Sequence, residues 1–487
     1  MRYAAELHRL TSINRGRVRE PSRPAPGGAA RRRLTQMNPQ VFREYDIRGI
    51  VESDFDDQFV RDLGRAYATV LSRAGKRTIT LGRDCRLSSP SLHDRLLEGL
   101  LPAGINVVDI GIVPTPLLYF SVLHWKMDGG AMITGSHNAA EYNGFKLGVG
   151  PTTIFGEEIQ NVRKIIESRD YVKNGASGKL SEKPIIPEYN DFILGQFKLR
   201  RGMKVAVDGG NGCGGVIAAP LMKQLGLDLK ELFIEMDGRF PNHHPDPTVE
   251  ENMRFLKAAV KEQGSEIGIA YDGDADRVGA VDENGRIVWG DELMVAFARA
   301  ILKTNPGAAI IGDVKCSKRM YDDIARNGGR PIMWKTGHSL IKSKLKAEHA
   351  ALAGEMSGHM FFADRYFGFD DAIYASFRLL EIVSNERRGL GAILADLPKS
   401  TFTPEIRLDC PDERKFEVVR RAAEYFRGKY DTIDIDGVRV NFPDGWGLVR
   451  ASNTQPALVM RFEADNPARM DEIRALFENK LKELGAI

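Results

Sequence analysis

Residues 267–281 read IGIAYDGDADRVGAV. An apolar run of strand length ends abruptly on Asp272, Asp274 and Asp276, three carboxylates at alternate positions. In an extended loop that spacing points all three to one side. Anions so close repel, and a hard cation with oxygen ligands relieves the repulsion. Mg²⁺ suits the set, because it tolerates a few carboxylates when a phosphate supplies a further oxygen. Arg277 follows at once and can hold such a phosphate bidentately. Glu283, at the twelfth position, makes the stretch imitate an EF-hand loop. However, Arg277 stands where that loop needs glycine, and strands flank it, so the EF-hand is rejected. A solvated acidic turn is the plainer alternative for this stretch taken alone.

The same strand-then-acid pattern recurs along the chain. TITLG (78–82) runs into GRD at 82–84, KVAVD (204–208) into DGGNG at 208–212, and AAIIGDV (308–314) into GDVK at 312–315. INVVDIGIV (105–113) is a further strand-like run. Between them lie helical patterns such as DDQFVRDLGRAYATVLSRAG (56–75) and TVEENMRFLKAAVKEQG (248–264), with apolar residues three and four apart. Strand–helix–strand alternation predicts α/β layers with mainly parallel sheets, and the repeated acidic strand end hints at a duplicated α/β unit. The last ninety or so residues change character. Hairpin signals at Asp436–Gly437 and Asp444–Gly445 predict a smaller α+β domain with antiparallel strands. The divisions expected are a basic extension at 1–37 and domains at 38–187, 188–291, 292–401 and 402–487.

Composition narrows the class. A length of 487 residues suggests several domains, and 43% hydrophobic with 28% charged residues is ordinary for a globular protein. No apolar run reaches the roughly 18 residues of a membrane span. Cys85, Cys213, Cys316 and Cys410 lie far apart with no paired motif, which favours a reducing compartment such as the cytoplasm. The net charge of +3 misleads, because residues 1–37 hold nine of the 69 basic residues and only two of the 66 acidic ones. The remainder is mildly acidic and does not read as a nucleic-acid binder. The arm's RPAPGGAARRR cannot build a core and reads as a disordered, dispensable extension, with Met37 available as an alternative start. It lacks the apolar centre of a secretory signal and matches a transit peptide only in its arginines.

Four further stretches carry chemistry. AMITGSHNAAEYNGFKLG (131–148) exposes Ser136 beside His137, with Lys146 ten residues beyond the serine, and reads as a turn between strands or as a nucleophile. RASNTQP (450–456) gathers Arg450, Ser452, Asn453 and Thr454 into a phosphate cradle. GEMSGHMFF (354–362) sets Glu355 and Ser357 two apart, able to bond sugar hydroxyls, with His359 close by as a candidate proton carrier. KVAVDGGNGCGG contains G-x-G-x-x-G at Gly210, Gly212 and Gly215, and Glu235 sits where a ribose-binding acid would lie. That supports a rival, an NAD(P)-dependent oxidoreductase. Asp208 argues against it, since it would meet a pyrophosphate with like charge, and a tight structural turn is the preferred reading.

Taken together, FREYDIRGI (42–50), TGSHNAAEYNGFK (134–146), DGDADR (272–277), KTGHSLIK (335–342), GEMSGH (354–359) and RASNTQP (450–456) resemble the α-D-phosphohexomutase superfamily, in its bacterial phosphomannomutase/phosphoglucomutase branch. The likeness runs from about residue 40 to the C-terminus. It implies a heart-shaped, four-domain fold, with three related α/β domains and a C-terminal α+β domain around a deep cleft. It also implies that Ser136 is the resting phosphoserine and a metal ligand, with Asp272, Asp274 and Asp276 holding Mg²⁺. Glu355 and Ser357 would grip sugar hydroxyls. Arg450, Ser452, Asn453 and Thr454 would bind the remote phosphate, aided by Tyr45, Lys315 and His338, with Arg277 also on the substrate. Arg48, Lys146 and His359 would surround the transferring phosphoryl. GEMSGH with R-x-SNT-x-P looks like the hexose branch, whereas phosphoglucosamine mutases, the alternative, usually show GEQSGH and R-x-SGT-x-P. Three positions depart from the usual pattern: Ala139 for proline, Ala275 for glycine and Gln455 for threonine.

The implied reaction passes a phosphoryl from Ser136 to a hexose 1-phosphate. The resulting hexose 1,6-bisphosphate, also the activator, turns end over end and returns a phosphoryl. Lys146 or His359 is the general acid/base, a choice the sequence leaves open. The partner is a sugar phosphate and the expected state a monomer, with no nucleic acid or membrane. Rival readings place the nucleophile on Asp272, as in haloacid-dehalogenase-type mutases, or make the chain a sugar-phosphate sensor.

Overall fold

The computed structural model describes residues 37–173 and 176–486, and Asn38–Ile487 forms one compact unit. The reading of the arginine-rich arm therefore lies outside the described residues, except for Met37.

Four sheets account for the strands. The first contains Thr78–Arg83, Asn106–Ile112, Gly129–Ile133 and Tyr142–Val149; the second Lys204–Asp208, Asp228–Leu232, Ile267–Tyr271 and Val278–Asp282; the third Ala309–Asp313, Arg330–Trp334, Leu352–Gly354 and Met360–Phe362. In each set the spatial order is second, first, third, fourth. The first three strands are parallel and the fourth turns back antiparallel on the third. A helix follows each of the first two strands: Ser89–Leu100 and Thr115–His124, Gly215–Gln224 and Arg254–Gln263, Lys318–Arg326 and His338–Ala347. The duplicated unit hinted at by the acidic strand ends is thus one supersecondary plan used three times.

That plan decides where the chemistry goes. The turn between the third and fourth strands carries Ser136 in the first unit, Asp272–Arg277 in the second and Glu355–His359 in the third. The fourth sheet is antiparallel throughout, its central strands being Val438–Phe442, Gly445–Ala451 and Ala457–Ala464. Asp412–Arg427 and Pro467–Glu483 cover it, with Phe426 and Phe477 stacked at 4.5 Å inside. Ser452, Asn453 and Thr454 form the turn between its last two strands, and Arg450 lies near the end of the strand before it.

Local sequence explains the element ends. The helix Asp57–Arg73 begins where the Asp56 side chain accepts the Phe59 N–H and buries Phe59, Val60, Leu63, Ala66 and Tyr67. The run at 248–264, expected as one helix, starts as a 3₁₀ turn at Glu250–Met253 and becomes α-helical only at Arg254–Gln263. The first expected hairpin turn falls between strands with Gly437 at φ 76°. The second is displaced by one residue, because Phe442 pairs with Gly445 and the turn residues are Pro443 and Asp444. Glu283, the false EF-hand ligand, accepts the N–H groups of Gly391 and Ala392 at the start of Leu390–Ile393.

One continuous apolar core runs through the three α/β units, whereas the fourth domain has its own. The fourth domain is tied to the third by a small apolar cluster, Val314 with Trp446 and Leu448, and by polar contacts. Arg461, 1% exposed, donates to Asp291 Oδ2 at 3.0 Å and to the Lys315 carbonyl. Arg439 donates to the carbonyls of Val314 and Cys316, both at 2.7 Å. Arg461→Met leaves Asp291 buried without its cation, and a loss of about 3–5 kcal/mol is expected from urea unfolding. Arg420→Met, which breaks only exposed ion pairs, should cost under about 1 kcal/mol in the same measurement.

Candidate active site

Ser136 sits at φ +46°, in the left-handed region, and is 3% exposed. Its N–H donates to Thr134 Oγ1 at 2.8 Å, and its carbonyl accepts from Arg86 Nη2 at 2.8 Å. Its Oγ donates to Asp272 Oδ2 at 2.8 Å and lies 3.1 Å from His137 Nδ1. The two loops nest so closely that a Cβ on Gly273 would stand 2.4 Å from the Ser136 carbonyl oxygen. The third loop joins them, since Val278 N–H donates to the Gly358 carbonyl at 3.1 Å. Gly358, at φ +91°, has no room for a side chain against the Val278 carbonyl.

Asp272, Asp274 and Asp276 are buried. Asp272 Oδ1 accepts the backbone N–H groups of Asp276 and Arg277. Asp274 Oδ2 accepts from Lys146 Nζ at 2.9 Å, Thr115 Oγ1 at 2.5 Å and Thr134 Oγ1 at 3.1 Å, and Asp276 Oδ2 accepts from Lys146 Nζ at 2.5 Å. Burial, then repulsion from Asp276 and Asp274, pushes the Asp272 carboxyl well above the usual range. Burial acts the same way on Asp274, but the Lys146 ammonium and the Thr115 hydrogen bond more than offset it and hold that carboxyl low. Lys146 resists its own desolvation because Asp274 and Asp276 keep it charged.

The donor set fits a hard divalent cation. One oxygen from each carboxylate lies within 4.8 Å of the others, and Asp274 Oδ1 and Asp276 Oδ1 are buried without a hydrogen-bond partner. Such orphaned anionic oxygens are costly unless a cation meets them.

Around this centre stand the basic groups. Arg48 donates to the Gly135 carbonyl at 3.0 Å and Asn138 Oδ1 at 2.9 Å, and pairs with Asp46. Arg277 Nε donates to His359 Nε2 at 2.9 Å, while His359 Nδ1 lies 3.2 Å from Asp370 Oδ2. Lys342 pairs with the other Asp370 oxygen at 3.2 Å. His338 packs between Tyr45, edge-on at a centroid distance of 5.6 Å, and His359, stacked at 5.7 Å. Burial, and then the Lys342 charge, drive His338 well below the ordinary histidine range.

On the sugar side, Glu355 accepts from Gly337 N–H at 2.8 Å and from Ser357 Oγ at 3.0 Å. Arg450 Nε pairs with Asp436 at 2.9 Å, and Ser452 Oγ accepts from Gln455 N–H at 3.1 Å. Lys315 pairs with Glu405 at 3.0 Å. Tyr45 stitches three domains: its hydroxyl donates to the Thr336 carbonyl at 2.8 Å and accepts from Asn453 Nδ2 at 2.7 Å. The structure thus gathers Ser136, Arg48, Lys146, the three aspartates, Arg277 and His359 into one contact network. Tyr45, His338, Lys315, Glu355, Ser357 and the 450–454 loop form the adjoining wall.

Sequence reasoning missed Arg86, Asp370 and Thr115. Arg86, 1% exposed, donates to the carbonyls of Ser136, Asn138, Ala139 and Tyr142 and pairs with Asp84, which also accepts the Gly135 N–H. It clamps the whole serine turn. The signal lay in GRDCR, an arginine two residues after a strand-ending acid. For Asp370 it was the adjacent acid pair in FGFDDAIY, between aromatics and an apolar helix. The glycine fingerprint has a different use from the rival reading. Asp208 pairs with His243 at 3.1 Å, and Cys213 N–H donates to the Gly273 carbonyl at 2.9 Å, so the turn props the aspartate loop.

Four family models match: "Phosphoglucomutase/phosphomannomutase, alpha/beta/alpha" domain I at residues 39–173, domain II at 187–285, domain III at 289–401, and the C-terminal domain at 405–480. A phosphomannomutase/phosphoglucomutase of Pseudomonas aeruginosa is 46% identical over 445 residues, covering 91% of this chain and 95% of that protein. A phosphoglucomutase of Neisseria gonorrhoeae is 46% identical over 449 residues, covering 91% and 97%. The crystal structure of a phosphoglucomutase/phosphomannomutase family protein from Burkholderia thailandensis matches with a TM-score of 0.85 at 41% identity, over 92% of this chain and 98% of that one.

The three departures have visible consequences. Ala275 lies at φ +56°, so it meets a left-handed cost of about 1–2 kcal/mol that glycine avoids. Gln455 Oε1 accepts from Arg407 Nη1 at 2.7 Å. Ala139 offers its carbonyl to Arg86 at 2.5 Å, and its N–H donates to no group among the described residues. Ala139→Pro therefore loses no hydrogen bond and is expected to stabilise by about 0.4–1 kcal/mol. A thermal midpoint below that of the unmodified chain would show that the backbone there does not accept proline.

Proposed function

The chain belongs to the phosphoglucomutase/phosphomannomutase family, and from that premise we propose how its site works as a hexose-phosphate mutase. It is an isomerase that interconverts hexose 1-phosphates and hexose 6-phosphates. The observation that carries the mechanism is Ser136 Oγ at 2.8 Å from Asp272, inside a buried three-carboxylate cluster.

Ser136 is the phosphoryl carrier. The bond from phosphorus to Ser136 Oγ breaks as one forms to the free hydroxyl of the hexose monophosphate, and that hydroxyl's proton passes to a base. Mg²⁺, held by Asp272, Asp274, Asp276 and the phosphorylated Ser136, would neutralise charge on the transferring group as a Lewis acid. Arg48 and Arg277 share the charge that builds on the equatorial oxygens. Of the two acid–base candidates the geometry favours His359. Lys146 is held as an ammonium between two carboxylates, whereas His359, with Asp370 facing Nδ1, accepts only from Arg277 at Nε2 and becomes a base once Arg277 turns to the substrate phosphate. Lys146 then acts through its charge.

The second half of the reaction needs the bisphosphate reversed. Arg450, Ser452, Asn453 and Thr454, with Lys315, Tyr45 and His338, hold whichever phosphate is remote from Ser136. Glu355 and Ser357 hold the sugar hydroxyls in either orientation. Contacts confined to O3 and O4 admit both glucose and mannose, which differ at C2. Hexose 1,6-bisphosphate thereby serves also as activator, restoring the phosphoserine. Four free thiols support a cytoplasmic setting, and a site built from one chain supports a monomer.

A coupled assay with glucose 1-phosphate and mannose 1-phosphate, with and without glucose 1,6-bisphosphate, tests the reading. Ser136→Ala should lower turnover at least about a thousandfold, and EDTA should abolish activity until Mg²⁺ is restored. Labelled phosphoenzyme should survive acid and lose its label in alkali. Release by hydroxylamine would move the nucleophile to Asp272. Undiminished function of Ser136→Ala would favour the sensor.

A further inference from the structure

Arg407 belongs to none of the motifs, yet the structure gives it a place in the cleft. It lies on Ile406–Asp409, the strand paired with Ala457–Ala464 beside the phosphate cradle. Its Nε and Nη2 both lie 2.9 Å from Glu405 Oε1, and its Nη1 donates to Gln455 Oε1 at 2.7 Å. The other oxygen of Glu405 pairs with Lys315, so one carboxylate serves two cations. Gln455 is the cradle residue that replaces the usual threonine, and as a neutral acceptor it fixes the guanidinium without cancelling its charge. The side chain remains 48% exposed. Its charge also reaches the other wall. Burial is the main force depressing His137, beside Ser136, and Arg277, Arg48, His359 and Arg407 are the cations that add to it.

We propose that Arg407, aimed by Gln455, is a positioning residue that retains the hexose bisphosphate while it turns between the two phosphate poles. At the Arg450 cradle and at Ser136 a phosphate is gripped by groups dedicated to it. During the turn neither phosphate is fully held, and a dianionic group at each end leaves the intermediate attracted to any unneutralised cation along the cleft. Arg407 stands on the fourth-domain strand beside the cradle, 48% exposed, and shares the Glu405 carboxylate with Lys315. No atom of the phosphoryl transfer needs it; its effect is on how often the bisphosphate escapes before the second transfer.

This inference rests on the mutase reading above. The experiment counts glucose 1,6-bisphosphate released into solution per glucose 6-phosphate formed, using phosphorylated enzyme and glucose 1-phosphate. Arg407→Gln should release about five- to tenfold more bisphosphate per product than the unmodified chain, and its velocity should fade until glucose 1,6-bisphosphate is added back. Arg407→Lys, which keeps the charge, should stay within about twofold of the unmodified chain. Gln455→Met, which leaves Arg407 chemically intact but untethered, should fall between. In the unmodified enzyme release should rise with NaCl between about 0.05 and 0.4 M, as attraction between exposed charges is screened. Release by Arg407→Gln equal to that of the unmodified chain, equal leakage by the lysine variant, or release indifferent to salt would each overturn the proposal. An unmodified enzyme that converts no glucose 1-phosphate would instead refute the mutase reading itself.

Discussion

Three carboxylates buried in one loop dictate much of what surrounds them. Removing an unpaired carboxylate from water costs several kcal/mol even after relaxation, and Asp272, Asp274 and Asp276 are all buried. The protein answers with groups drawn from another domain: Lys146, Thr115 and Thr134 converge on Asp274 Oδ2, and Ser136 meets Asp272. Charge compensation and domain contact are therefore the same interaction. Lys146 cannot leave the cluster without exposing two anions to a low dielectric, so the same contacts hold the first and second domains together.

The threefold plan explains why the parts meet. Each α/β unit turns from its third, parallel strand into an antiparallel fourth, and that turn lies at the carboxyl end of the sheet, where open α/β sheets place ligand sites. One unit fills the turn with a serine, the next with carboxylates, and the third with a glutamate, a serine and a histidine. The acidic turn after each first strand is a support. Asp84 orients Arg86, Asp208 anchors the glycine turn under Gly273, and Asp313 accepts from Thr336 Oγ1 at 3.0 Å. A single geometry was thus divided into working and bracing loops, three times over.

Much of this was legible in the sequence because strand periodicity and acidic strand ends are local. The strands at 78–83, 204–208, 267–271 and 309–313 fall where the apolar runs stand. What escaped depends on contacts across long separations. Arg86 acts on carbonyls some fifty residues away, and Thr115 on an aspartate 159 residues further along the chain. Nothing in the residues flanking either one states the partner. The dinucleotide fingerprint misleads for the converse reason. Its glycines are needed for close backbone approach, but the backbone approached is Gly273, where a dinucleotide enzyme would have a pyrophosphate.

The backbone at the centre is strained, and the strain is distributed in an informative way. Ser136 and Ala275 both occupy the left-handed region, in two loops that touch through Gly273. Each costs about 1–2 kcal/mol against an ordinary turn, and such conformations persist only where the surroundings over-determine them. For Ser136 the surroundings are Arg86 on its carbonyl, Thr134 on its N–H and Asp272 on its hydroxyl. For Ala275 they are its N–H on the Asp272 carbonyl and its own carbonyl accepting from Ala372 N–H. A proline in the serine turn would supply rigidity from within one loop. With alanine at 139, the same rigidity comes from a buried arginine that reads four carbonyls at once, so the placement of Ser136 depends on tertiary structure more than on local chain stiffness.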